Sequence, residues 1–101
     1  MTLISELRFD WDPAKAAANR RKHGVRFEEA QSVFWDDFAL FDDAPDYSAE
    51  EDRFLLLGLC SKPRLRVVVH CFRVTADGIR IISARRATPV ERARYSERWQ
   101  R

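Results

Sequence analysis

A chain of 101 residues with 46% hydrophobic side chains has material for one core and too little for two, so a single domain over residues 1–101 is expected. No apolar run approaches the ~18 residues of a membrane-crossing helix, and the first residues, with Glu6 and Asp10 among them, lack the basic-then-apolar layout of a signal peptide; the expected location is cytoplasmic, with no membrane partner. The net charge of +2 hides an asymmetry, since residues 1–61 carry 7 Lys/Arg against 13 Asp/Glu and residues 62–101 carry 11 against 3, which makes the back half the part suited to a polyanion.

Residues 3–9 read as a strand leading into the first helix. Asp12 is placed to accept backbone N–H bonds as an N-cap, Pro13 fits the first helical position, and Gly24 suits the left-handed residue that closes a helix. These signals predict a helix over 13–23, with Arg20, Arg21, Lys22 and His23 in its last turns, where positive charge complements the carbonyl end. Phe27, Ala30, Val33 and Phe34 recur at helical spacing behind Glu28 and Glu29, predicting a second helix over 27–35. Residues 38–41 form a short strand candidate, and 42–52 read as a polar loop containing Pro45, Asp46 and Ser48. Between Glu28 and Asp52 stand ten acids and no Lys or Arg, which marks a solvated surface more than a phosphate-binding one.

Three Leu-, Val- and Ile-rich runs follow, over 53–60, 66–74 and 79–87. The connections Ser61-Lys62-Pro63-Arg64 and Thr75-Ala76-Asp77-Gly78 are too short for parallel crossovers and imply an antiparallel meander. Thr88 and Glu91 stand at capping-box spacing with Pro89 at the first helical position, so a terminal helix runs to Trp99. The expected architecture is α+β: two N-terminal helices packed on a small antiparallel sheet, with a basic C-terminal helix. Cys60 and Cys71 both fall in apolar strand segments and read as buried free thiols.

Several of these residues form a pattern of their own: Phe9-x-Trp11-Asp12-x-x-Lys15 with Asn19, Lys22-His23-Gly24-Val25, Phe27-Glu28-Glu29-Ala30 and Phe34-x-Asp36. A second block follows, Arg80-Ile81-Ile82-Ser83-Ala84-Arg85-Arg86-Ala87-Thr88 with Glu91-Arg92 and Tyr95. In these two blocks the chain resembles the BrnT family of toxins nearly end to end. The resemblance implies a type II toxin–antitoxin system, a RelE-like fold and a ribonuclease that inhibits translation. It also implies a BrnA-like, DNA-binding antitoxin as partner and RNA as substrate, free or on a ribosome.

RNA can be cleaved without a metal by using the ribose 2′-hydroxyl as nucleophile, which calls for a base, cations around the phosphate and a proton for the leaving oxygen. The chain has two histidines and many arginines. It shows no metal-ligand spacing and no phosphate-cradling glycine loop, so neither metal nor cofactor is expected. Arg85 and Arg86 follow directly on an apolar strand that would hold them rigidly, and guanidinium groups grip phosphates in bidentate fashion. Successive strand residues point to opposite faces, so only one of the two is expected at the scissile phosphate; pairing with Glu91 is the structural alternative. Lys22 and His23 are the second catalytic pair, His23 because its ring titrates near neutral pH, although both equally suit a helix C-terminus.

His70, embedded in an apolar run, reads as a buried structural histidine. Arg64, Arg66 and Arg73 in the central hairpin, and Arg92 and Tyr95 on the terminal helix, are candidates for tracking RNA, with core packing the alternative for Tyr95. A non-catalytic RNA- or ribosome-binding module acting by occupancy would draw on the same basic half.

Overall fold

The structure, a computed structural model, describes residues 7–44, 53–72 and 78–99. In chain order these form β1 (Arg8–Asp10), α1 (Pro13–His23), α2 (Phe27–Ser32) with a 3₁₀ turn over Val33–Trp35, β2 (Leu40–Asp43), β3 (Phe54–Leu59), β4 (Leu65–Phe72), β5 (Gly78–Arg86) and α3 (Pro89–Trp99). Among the described residues the strands make one five-stranded sheet in the order β1-β5-β4-β3-β2. No helix among them is long and apolar enough to cross a membrane.

The helix ends follow the local signals. Asp12 accepts a 2.9 Å bond from the Ala14 amide, and Gly24 adopts φ 71° while its N–H closes on the Arg20 carbonyl. At the start of α3, Thr88 and Glu91 bond reciprocally, each side chain accepting from the other's amide. The expected second helix is shorter than its periodicity, ending at Ser32 and tightening into the 3₁₀ turn. Asp36 then folds the chain back, accepting from the Phe38 amide through its side chain and from the Ala39 amide through its carbonyl. That turn consumes the start of the expected 38–41 strand and moves β2 to Leu40–Asp43.

β2 to β5 form the expected meander, but the sheet as a whole is mixed, because β1 lies parallel to β5. A wholly antiparallel sheet followed from short turns, and no short turn joins β1 to β5, so nothing local set the direction of that pair. Of the strand expected over 3–9, positions 3–6 lie outside the described residues, as do Arg73 and Val74 of the run expected over 66–74, most of the turn at 75–78, and positions 45–52 of the polar loop.

The two faces of the sheet carry different helices. Val25, Phe27, Ala30 and Val33 pack on Leu56, Val68, Ile81 and Ala84 on one face, while Tyr95 of α3 packs on Leu57 and Val67 on the other. The face of each β5 side chain depends on a bulge, since Val69 pairs with Ser83 and His70 with Ile81, leaving Ile82 as the extra residue. Downstream of it the alternation changes phase. Ala84 and Arg86 therefore join Ile81 on the α1 side, and Arg85 points to the α3 side opposite Val67.

α1 contributes one buried residue, and it is polar: Asn19, 7% exposed. Its amide donates to the Ala84 carbonyl at 2.8 Å and accepts from the Ala84 amide at 3.0 Å, acting as a strand would on the edge of β5 beyond β1. The same side-chain nitrogen also donates to the Val25 carbonyl at 3.0 Å. Replacing Asn19 by Ala leaves three buried backbone groups short of a partner, and the expected cost is about 3 kcal/mol. Urea unfolding should show it as a lower midpoint with an unchanged slope.

Candidate nucleic-acid interface

The last turn of α1 and the end of β5 form the two walls of an open groove of ≈ 590 Å³, lined by Lys22, His23, Gly24, Arg85, Arg86 and Thr88. Gly24 sits beside Arg86, whose Nη2 would be in ordinary contact, 3.8 Å, with a Cβ built there; what favours glycine is the positive φ of the turn. Arg86 also borders a second groove of ≈ 560 Å³, which contains Arg64, Arg66 and Arg92. One cationic band thus runs from the carbonyl end of α1 to the β3–β4 turn and the first turn of α3.

Seven of the nine residues singled out from the sequence border this band, but they are not equivalent. Arg85 is committed to Glu91, donating Nη1–H to Oε1 at 2.8 Å and Nη2–H to Oε2 at 3.0 Å, with a further bond to the Arg86 carbonyl. The structural alternative weighed for this arginine is present in the fold, and Glu91 neutralises much of its charge. Arg66 is 4% exposed and held by Glu29, its Nε 2.6 Å from Oε2, with Nη1 on the Leu65 carbonyl. Arg86, Lys22, Arg64 and Arg92 are exposed and make no ion pair among the described residues. They are the charges best able to exchange water for phosphate.

Of the other two candidates, Tyr95 lies elsewhere. Tyr95 is 3% exposed, and its hydroxyl donates to Asp36 Oδ2 at 2.7 Å, so it pins α3 to the sheet and presents no ring for base stacking. Arg73 is outside the described residues. His70 is fully buried against Phe34, and its pKa falls to about 4 because burial disfavours the charged ring. Cys60 and Cys71 are buried and free. No trio of His, Cys, Asp and Glu side chains among the described residues is grouped to hold a metal.

His23 is the titratable group in the groove nearest neutrality. Partial desolvation lowers its pKa below 6.5, and the charges of Lys22 and Arg85 push the same way. At pH 7 its imidazole is neutral and free to take a proton. Glu29 and Thr88 were read from the sequence as helix-start residues and not as parts of the site. A signal for Glu29 existed, since an arginine on the inward face of a central strand requires a carboxylate from the helix packed over it.

Fold and groove together define a small basic α+β protein with a cationic groove at one end of its sheet. Residues 11–91 match the model of the ribonuclease toxin BrnT of type II toxin–antitoxin systems, and the chain belongs to that family. The crystal structure of the Brucella abortus ribonuclease toxin BrnT has a similar fold, with a TM-score of 0.60 and 21% identity, covering 81% of this chain and 97% of that one. Comparison with curated protein sequences gives no match.

The Arg85 hydrogen bonds hold Glu91 at a pKa of about 2, outweighing the opposing effect of burial, with the Thr88 amide adding to them. A depressed carboxylate pKa stabilises the fold above the ordinary value of 4.5, and that contribution is lost as pH falls towards 2. Glu91→Gln is therefore expected to lose about 1 kcal/mol at pH 7. Melting curves of wild type and variant should converge between pH 4.5 and 2.

Proposed function

We propose that this chain is an endoribonuclease that cuts messenger RNA in the groove between α1 and β5, inhibits translation in the cytoplasm, and is silenced by a BrnA-like DNA-binding antitoxin. The observation that carries the reading is the convergence of a histidine with a lowered pKa, His23, with Lys22 and Arg86, cations that make no ion pair among the described residues, in one open groove. Family membership supplies the reaction class.

In this reading His23 accepts the proton of the ribose 2′-hydroxyl as that oxygen attacks the adjacent phosphorus. The new P–O2′ bond forms as the P–O5′ bond breaks, yielding a 2′,3′-cyclic phosphate and a 5′-oxygen that takes a proton from water or from Lys22. Arg86 and Lys22 offset the charge that builds on the non-bridging oxygens, a role worth roughly 10²–10³-fold in rate for one well-placed donor. Arg85, held by Glu91, orients the groove wall and adds long-range positive potential. Arg64 and Arg92 lie along the continuing band and track the backbone on either side of the scissile phosphate. The reading treats the domain as RelE-like in mechanism, with Lys and Arg sharing the work that a pair of histidines performs in other metal-free nucleases.

Mapping RNA 5′ ends shortly after induced expression tests the proposal. New ends inside messages are expected with wild type and are expected to drop by about 10²-fold with Arg86→Ala. Growth arrest without new ends would instead support an occupancy mechanism. With purified protein, cleavage should rise with pH as His23 loses its proton, with the midpoint of the rise below 6.5. In His23→Gln that rising limb should disappear; an unchanged profile removes His23 as the base.

A further inference from the structure

The sheet end opposite the cationic groove carries a second unoccupied surface of different chemistry. Phe41 and Phe72 are 53% and 51% exposed, and with Phe54 they form a continuous ring cluster whose centroids are 5.2, 5.3 and 6.4 Å apart. Half-exposed aromatic rings in mutual contact on the surface of so small a domain mark an interaction site. They span β4, β3 and the outer strand β2, which carries Phe41. Among the described residues β2 pairs only with β3, so its other side presents the Phe41 backbone to a partner, while the outward Asp43 amide is held at 2.9 Å by the Asp42 side chain, a bond a partner strand would displace.

Charge selects the occupant. Phe41 is followed by Asp42 and Asp43, both exposed, and the outer edge of the strand carries no Lys or Arg; Arg53 lies on the β3 side, where its carbonyl accepts from the Ala44 amide. Asp42 touches Arg94 at 3.4 Å, but both side chains are more than half exposed, so that pair resists competition weakly. An RNA backbone would be repelled here. A basic polypeptide would be drawn in.

We propose that β2, with the Phe41-Phe54-Phe72 cluster, is the docking strand for an extended basic and apolar segment of the antitoxin. The proposal rests on the toxin–antitoxin reading above. A segment added along β2 meets Leu40 and Asp42 on one face and Phe41 and Asp43 on the other. The matching partner sequence has two consecutive apolar residues adjoining two consecutive Lys or Arg residues. Phe72 and Arg66 stand near opposite ends of β4, ~20 Å apart at strand rise. A partner anchored on β2 therefore silences the groove only if it also reaches across the sheet, which makes anchoring and blocking separable functions.

Hydrogen exchange of the wild-type chain, alone and bound to the antitoxin encoded beside it, tests the site without altering the fold. Protection of the β2 amides on complex formation is expected. Phe72→Ala and Asp43→Lys are each expected to weaken the complex about 30-fold or more while the free variants still cleave RNA, whereas Arg86→Ala should leave antitoxin binding nearly intact. A complex that forms without protecting residues 40–43 overturns the docking strand and leaves the toxin–antitoxin reading standing. Protection of these amides by RNA alone overturns it by assigning the surface to nucleic acid. Failure of the antitoxin to bind wild type at all removes both.

Discussion

Asn19 is the residue on which the arrangement of this molecule turns. α1 has no apolar stripe with which to hold the sheet, and its other side chains face water or only graze the core. A helix of that composition is anchored by geometry more than by area. The Asn19 amide supplies that geometry by completing the backbone ladder of β5 at Ala84 and fixing the Gly24 turn through Val25 in the same contact. Once those bonds are made, Lys22 and His23 stand beside Arg85 and Arg86 without any direct hydrogen bond being needed to bring them there.

The bulge at Ile82 then divides the two arginines. Without the extra residue, Ile81 and Arg85 would share the α1 face and Arg86 would point at α3. With it, Arg85 meets Glu91 and locks the start of α3, while Arg86 faces the Gly24 turn and stays available to a ligand. Adjacent identical residues thus have different jobs: one holds the wall of the groove, the other lines its open space. Glu29 performs the equivalent service for Arg66 from the helix above it.

Much of this was legible in the residues. Asp12-Pro13, Gly24 and Thr88-Pro89-Val90-Glu91 mark helix ends through local hydrogen bonding, and local rules survive burial. The meander was readable from its short turns, and the cationic character of the groove from the charge asymmetry. What was not readable was long-range. The parallel pairing of β1 joins segments with no connecting turn, the bulge depends on a register between β4 and β5, and the burial of Arg66 and Tyr95 depends on Glu29 and Asp36 arriving from other elements. Arg66 was read as a contact for RNA and Tyr95 as either that or core packing, because a sequence pattern does not show which polar side chains will find a buried partner.

The two walls of the groove are far apart along the chain, with Asn19 and the Ala84 it grips separated by 65 positions. During synthesis the first wall emerges long before the strand that completes it, and at ~5–20 residues per second the delay is several seconds. β1 waits equally long for β5, its partner in the sheet. Contacts of such separation close late in folding, so the cationic groove is among the last features to assemble. A nascent copy therefore lacks the finished groove until most of its own sequence has been made.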